Sequence, residues 1–88
     1  MITKKRIYNI TELQKLQSLA TKCKDDVTLT SEDGSVQVDA KSFIGLFALD
    51  FTKPVLVVSE NMDFHKRIMR VGETVGFMPE FLKAEIYK

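Results

Sequence analysis

Eighty-eight residues, 44% of them apolar and 28% charged, describe one small folded domain that is too apolar to stay disordered. Thirteen Lys and Arg against twelve Asp and Glu leave a formal charge of +1, so nothing overall draws the chain to nucleic acid or anionic membranes. Cys23 is the only cysteine, which rules out an internal disulfide and a cysteine-based metal cluster.

The chain opens Met1-Ile2-Thr3-Lys4-Lys5-Arg6, without the apolar core of a signal peptide. No apolar run approaches the ~20 residues that cross a bilayer. A cytoplasmic protein with no membrane insertion is therefore expected. Residues 4–9 read as a first strand, with Ile7 and Tyr8 its strongest β formers. Thr11 and Gln14 have capping-box spacing, which predicts a helix beginning at Thr11. Leu13, Leu16, Ala20 and Cys23 then share one face, widened by Leu19, and the helix is expected to end near Lys24-Asp25-Asp26. On that stripe Cys23 reads as a small core residue rather than a reactive thiol.

Val27 and Leu29, then Val36 and Val38, alternate with polar residues on either side of Ser31-Glu32-Asp33-Gly34-Ser35. That is the pattern of a hairpin turning at Asp33-Gly34. Phe43 to Leu49 reads as a short apolar helix, and Val55 to Val58 as a strand inside a sheet, with Pro54 tolerable only at its start. A last helix is predicted from Asn61 or Asp63, carrying Phe64, Ile68, Val71 and Val75 as its stripe, with Gly72 inside it and Gly76 as its stop. Pro79 then opens a short turn bearing Phe81, Leu82 and Ile86. The order is strand, helix, strand, strand, short helix, strand, helix, which predicts a two-layer α+β domain.

The stretch Asp39-Ala40-Lys41-Ser42-Phe43-Ile44-Gly45-Leu46-Phe47-Ala48-Leu49-Asp50-Phe51 follows the hairpin and precedes the apolar strand. It resembles the regulatory-serine segment of HPr, the phosphocarrier family of the bacterial sugar phosphotransferase system. The resemblance is strongest from Val27 to about Val58. It implies a single HPr-like domain over residues 1–88: an open-faced sandwich with a four-stranded antiparallel sheet covered on one face by helices (βαββαβα). Residues 77–88 would then be a C-terminal extension.

The same resemblance implies a site. The family's phosphocarrier histidine stands at the start of the first helix, closely followed by an arginine. Here that region reads Tyr8-Asn9-Ile10-Thr11-Glu12-Leu13-Gln14-Lys15, with neither. Glu12 would oppose an incoming phosphoryl group, and Thr11 would form an ester of low transfer potential. The expectation is a non-enzymatic regulatory or protein-interaction relative, without cofactor or metal. Ser42 matches the serine phosphorylated in many family members, with Lys41 beside it and free N–H groups of a helix start nearby. Phe43, Ile44 and Phe47 match the apolar patch through which the family docks partners. Asp50 departs from the Gly that many members have there.

Three other readings compete. One is a phosphocarrier with an atypical acceptor, His65 (the only histidine) or Ser42. Another is a small nucleic-acid-binding module using Lys66, Arg67 and Arg70, which no aromatic interleaving supports. The last is a homodimer burying the Phe43 patch or the Phe77–Tyr87 segment.

Overall fold

A computed structural model describes residues 1–78. It shows β1 (Ile2–Arg6), α1 (Ile10–Lys22), β2 (Thr28–Ser31), β3 (Gln37–Asp39), α2 (Phe43–Leu46), β4 (Val55–Val58), α3 (Met62–Arg67) and β5 (Glu73–Met78). A single 3-10 turn, Ile68–Arg70, follows α3. The strands form one antiparallel sheet in the order β3-β2-β4-β1-β5. The architecture is α+β, as expected.

The sheet has five strands where four were expected. The difference arises after Arg70. Val71 is extended (φ −109°, ψ 122°) and Gly72 turns the chain at φ +62°, so the predicted helical stripe ends at Ile68. Val71 and Val75 have helical spacing in sequence, but Thr74, Val75 and Phe77 are also good strand formers. The open edge of β1 decides between the two: Arg6 pairs with Glu73, Lys5 with Thr74, and Ile2 with Met78, with one irregularity between Lys4 and Lys5. Gly76 lies opposite Lys4 within the sheet and stops nothing. Phe77 and Met78 therefore belong to the sheet and not to an extension. The short turn expected around Phe81, Leu82 and Ile86 lies outside the described residues.

Two boundaries also move. β1 runs from Ile2 to Arg6, about two residues earlier than its β-branched and aromatic content indicated. α1 is capped by Asn9, whose side chain accepts from the Glu12 N–H at 2.9 Å, and not by Thr11. Glu12 answers by accepting from the Tyr8 N–H at 2.9 Å, so the capping pair is Asn9 and Glu12, two residues upstream of the predicted one. The helix ends at Lys22, with Cys23 as its C-cap.

The core lies between the helices and one face of the sheet. α1 contributes Leu13, Leu16 and Ala20, and Phe64 and Ile68 join from the α3 region. They meet Leu29, Val55 and Val57 from the strands. Full burial of each large aliphatic residue is worth about 2 kcal/mol. Cys23 is half-buried against this cluster. The hairpin forms as its pattern indicated: Leu29 faces Val38 across β2 and β3, and Gly34 takes φ +76° in the turn. Asp33 fastens that turn, accepting from the Ser35 backbone N–H and from the Ser35 and Ser31 hydroxyls, which hold its pKa down to about 2.

Candidate functional site

α2 is four residues long, and its start is fixed by local chemistry. Ser42 is exposed and extended, and its Oγ accepts from the Gly45 N–H at 3.3 Å, which makes it the N-cap. Its own N–H donates to the Asp39 carbonyl at 3.0 Å, and the Asp39 carboxylate accepts from the Lys41 N–H at 2.9 Å. The Gln17 side chain donates to the Lys41 carbonyl at 3.0 Å, tying the entry of α2 to α1.

The large apolar residues of the short helix and its C-cap divide their tasks. Phe43 is half-buried and packs against the main core, while Leu46 is fully buried. Ile44 is 85% exposed and Phe47 61% exposed. The rings of Phe43 and Phe47 meet edge to face, with centroids 5.2 Å apart and planes at 83°. Phe43 thus braces Phe47 from below, and Ile44 stands free in solvent.

Sequence reasoning overlooked what lies beside them. Phe47 and Phe51 line one side of an apolar cleft of about 480 Å³, and Ile7, Tyr8, Ile10 and Leu13 line the other. Tyr8 is 58% exposed and Ile10 49% exposed, so the cleft is rimmed by large apolar groups from two separate parts of the chain. A signal was present: Ile10 falls off the Leu13–Leu16–Ala20 stripe, so a helix that buries the stripe leaves Ile10 outside. Tyr8 is held in place. Its hydroxyl donates to Glu73 at 2.8 Å, which raises its pKa, and the Arg6 guanidinium sits 5.0 Å from its ring centroid. The cleft sits at the N-terminal end of α1, where Thr11 and Glu12 also lie.

His65 is elsewhere and closed off. It is buried on the helix-facing side of the sheet, with Nε2 2.7 Å from the Ser59 carbonyl and Nδ1 2.8 Å from the Thr3 hydroxyl. The carbonyl can only accept, so Nε2 carries the proton and Nδ1 receives the Thr3 hydroxyl hydrogen. Burial lowers the His65 pKa below 6.5, and the neutral ring is the form the site holds. With both nitrogens engaged, His65 offers no lone pair to a phosphoryl donor in this conformation. Lys5 continues the same row: its ammonium donates to the Ile68 carbonyl and to the Thr74 hydroxyl, each at 2.8 Å. Burial lowers the Lys5 pKa, with Glu12 opposing.

The basic helix face is partly neutralised, because Arg67 Nε pairs with Asp63 at 2.8 Å across one turn. Among the described residues, no group of His, Cys, Asp or Glu is placed to hold a metal ion, and no helix is long and apolar enough to cross a membrane. Comparison of the chain with protein-family models, with curated proteins and with solved structures finds no match.

Proposed function

We propose that this protein is a non-enzymatic, HPr-related domain that binds protein partners through α2 and the adjoining cleft, with Ser42 as a regulatory phosphorylation site. The observation that carries this reading is the exposure of Phe47, Tyr8 and Ile10 around one cleft, with Ile44 exposed on the adjoining short helix. Large apolar groups gathered at a surface in this way usually mark an interface. The resemblance of residues 39–51 to the HPr regulatory segment supports the choice of partner class. The lack of a histidine at the start of α1, and the enclosure of His65, weigh against a phosphoryl relay.

The test is reaction of the purified protein with the two systems that modify HPr proteins, followed by intact mass and site mapping. The ATP-dependent serine kinase is expected to place one phosphate on Ser42, and the Ser42→Ala variant should take none. Ile44→Asp and Phe47→Asp should lower the rate of modification at least tenfold while leaving unfolding unchanged. A phosphohistidine formed from phosphoenolpyruvate would overturn the non-relay reading. No phosphate on Ser42 would remove the regulatory role, and no binding of either modifying enzyme would remove the HPr-related one.

A further inference from the structure

The two edges of the sheet are guarded unequally. β3 closes one side with three residues, Gln37-Val38-Asp39, a strand that is short and charged. β5 closes the other with six, Glu73-Thr74-Val75-Gly76-Phe77-Met78. Among the described residues β5 pairs on one side alone, with β1. Edge strands are kept from pairing with other chains by shortness, by Lys or Pro, or by a bulge. β5 is long and holds neither Lys nor Pro, and its one charge, Glu73, stands at its start. The irregularity opposite Lys4 and Lys5 leaves Val75 without a partner on β1, but Gly76, Phe77 and Met78 continue in register. Val75 is 42% exposed and Phe77 54% exposed, although both are strong strand formers.

The pattern of β5 is its own complement. Two copies laid antiparallel about a two-fold axis through Gly76 place Val75 of each opposite the partner's Phe77, and Thr74 opposite the partner's Met78. A β-branched residue facing an aromatic one is a favourable cross-strand pair. Gly76 lies on the axis, and a Cβ there would meet nothing within 4 Å, so the strand is open where the two chains approach most closely. Charge selects the same direction. In the antiparallel pair the two Glu73 carboxylates stand at opposite ends, six residues or about 20 Å apart. That is beyond the ~8–10 Å over which salt screens exposed charges. A parallel pair would set them side by side. A two-fold contact uses the same edge on both copies and closes, so the assembly stops at two chains.

We propose that this chain forms a two-fold dimer by pairing β5 with β5 of a second copy, antiparallel and centred on Gly76. The two five-stranded sheets then run on as one. Five residues per copy make an interface smaller than the roughly 800 Å² per partner of a standard one, so association is expected in the micromolar range. This inference does not depend on the function proposed above.

Sedimentation of the full chain from low micromolar to near-millimolar concentration tests it. The mass is expected to rise from one chain to two. A Val75→Lys, Phe77→Lys variant should associate at least tenfold more weakly, with unchanged unfolding at low concentration, because both side chains are exposed. Isotope-filtered nuclear Overhauser measurements on a mixture of labelled and unlabelled wild-type chains give a second readout that needs no variant. Contacts are expected between the Val75 methyls of one copy and the Phe77 ring of the other. A single-chain mass throughout overturns the proposal. So does a dimer that persists in the lysine variant, or one whose contacts between copies leave out Val75 and Phe77.

Discussion

Gly72→Ala should be among the most damaging small substitutions in this protein, and its cost can be worked from the backbone. Gly72 has φ +62°, where a residue with a Cβ loses about 1–2 kcal/mol. The added methyl would also lie 2.5 Å from the Arg6 carbonyl oxygen and 3.0 Å from Ile7 Cδ1. The first contact is with backbone, so relief requires β1 or the turn to shift by more than half an ångström. A shift of that size weakens at least one hydrogen bond between β1 and β5, at about 1 kcal/mol. The sum is about 2–3 kcal/mol, out of roughly 4–13 kcal/mol for a domain of this length. Thermal unfolding should fall by about 10–20 °C. Gly76→Ala is the internal control, because that glycine lies in β5 and its Cβ would meet nothing within 4 Å. It should change stability by less than about 0.5 kcal/mol. Urea unfolding of the two variants side by side is the assay. Equal stability of Gly72→Ala and wild type would refute both the left-handed turn and the close approach to Arg6.

Asn9→Ala removes the cap of α1 and should cost about 1 kcal/mol by urea unfolding, whereas Thr11→Ala should cost a few tenths; the reverse order would restore Thr11 as the cap. Ile44→Asp should leave stability within about 0.5 kcal/mol, while Leu46→Ala, two residues on and fully buried, should cost about 2–5 kcal/mol. His65 sets a pH dependence of known sign. Its folded pKa lies below the unfolded value of 6.5, so the unfolded chain takes up the proton first. The stability contributed by the neutral ring is complete above about pH 6.5, falls as the pH drops below it, and levels off below the folded value. The slope reaches at most about 1.4 kcal/mol per pH unit. Chemical unfolding at a series of pH values should show this loss in wild type and not in His65→Gln, and an identical slope in both would assign the effect to another group.

Much of the fold could be read where local signals agree. In the hairpin, alternation of Leu29 and Val38 coincides with Asp33-Gly34 turn chemistry, and the structure follows both. At Ser42, a hydroxyl residue before an apolar run is a cap in sequence and a cap in structure. Sequence reading went astray where two local answers were nearly equal and a distant partner chose. Residues 71–78 satisfy a helical stripe and a strand composition alike, and the ~1 kcal/mol helix penalty of Gly72 was too small to tip the reading. The open edge of β1, some seventy residues away, decides it. His65 was indistinguishable from its exposed neighbours Lys66 and Arg67. Its burial follows from Thr3 and Ser59, which no local pattern couples to it. The cleft was hidden for the same reason: Tyr8 and Ile10 come from one junction, and Phe47 and Phe51 from another.

The position of β1 has a consequence for how the protein is made. The first strand sits inside the sheet, between β4 and β5, so Ile2 waits for both Val58 and Met78. A ribosome delivers these residues well after Ile2, at about 5–20 residues per second, so β1 spends several seconds with both edges unpaired. The hairpin and α1 close on nearby residues and can form early, but the sheet cannot complete until Met78 has emerged. Contacts this distant in sequence also slow folding of the finished chain. A circular permutant that opens the β3–α2 connection and links Met78 to Met1 by a short loop would place β5 and β1 close together in sequence. The same final sheet would then be reached with its slowest pairing made local.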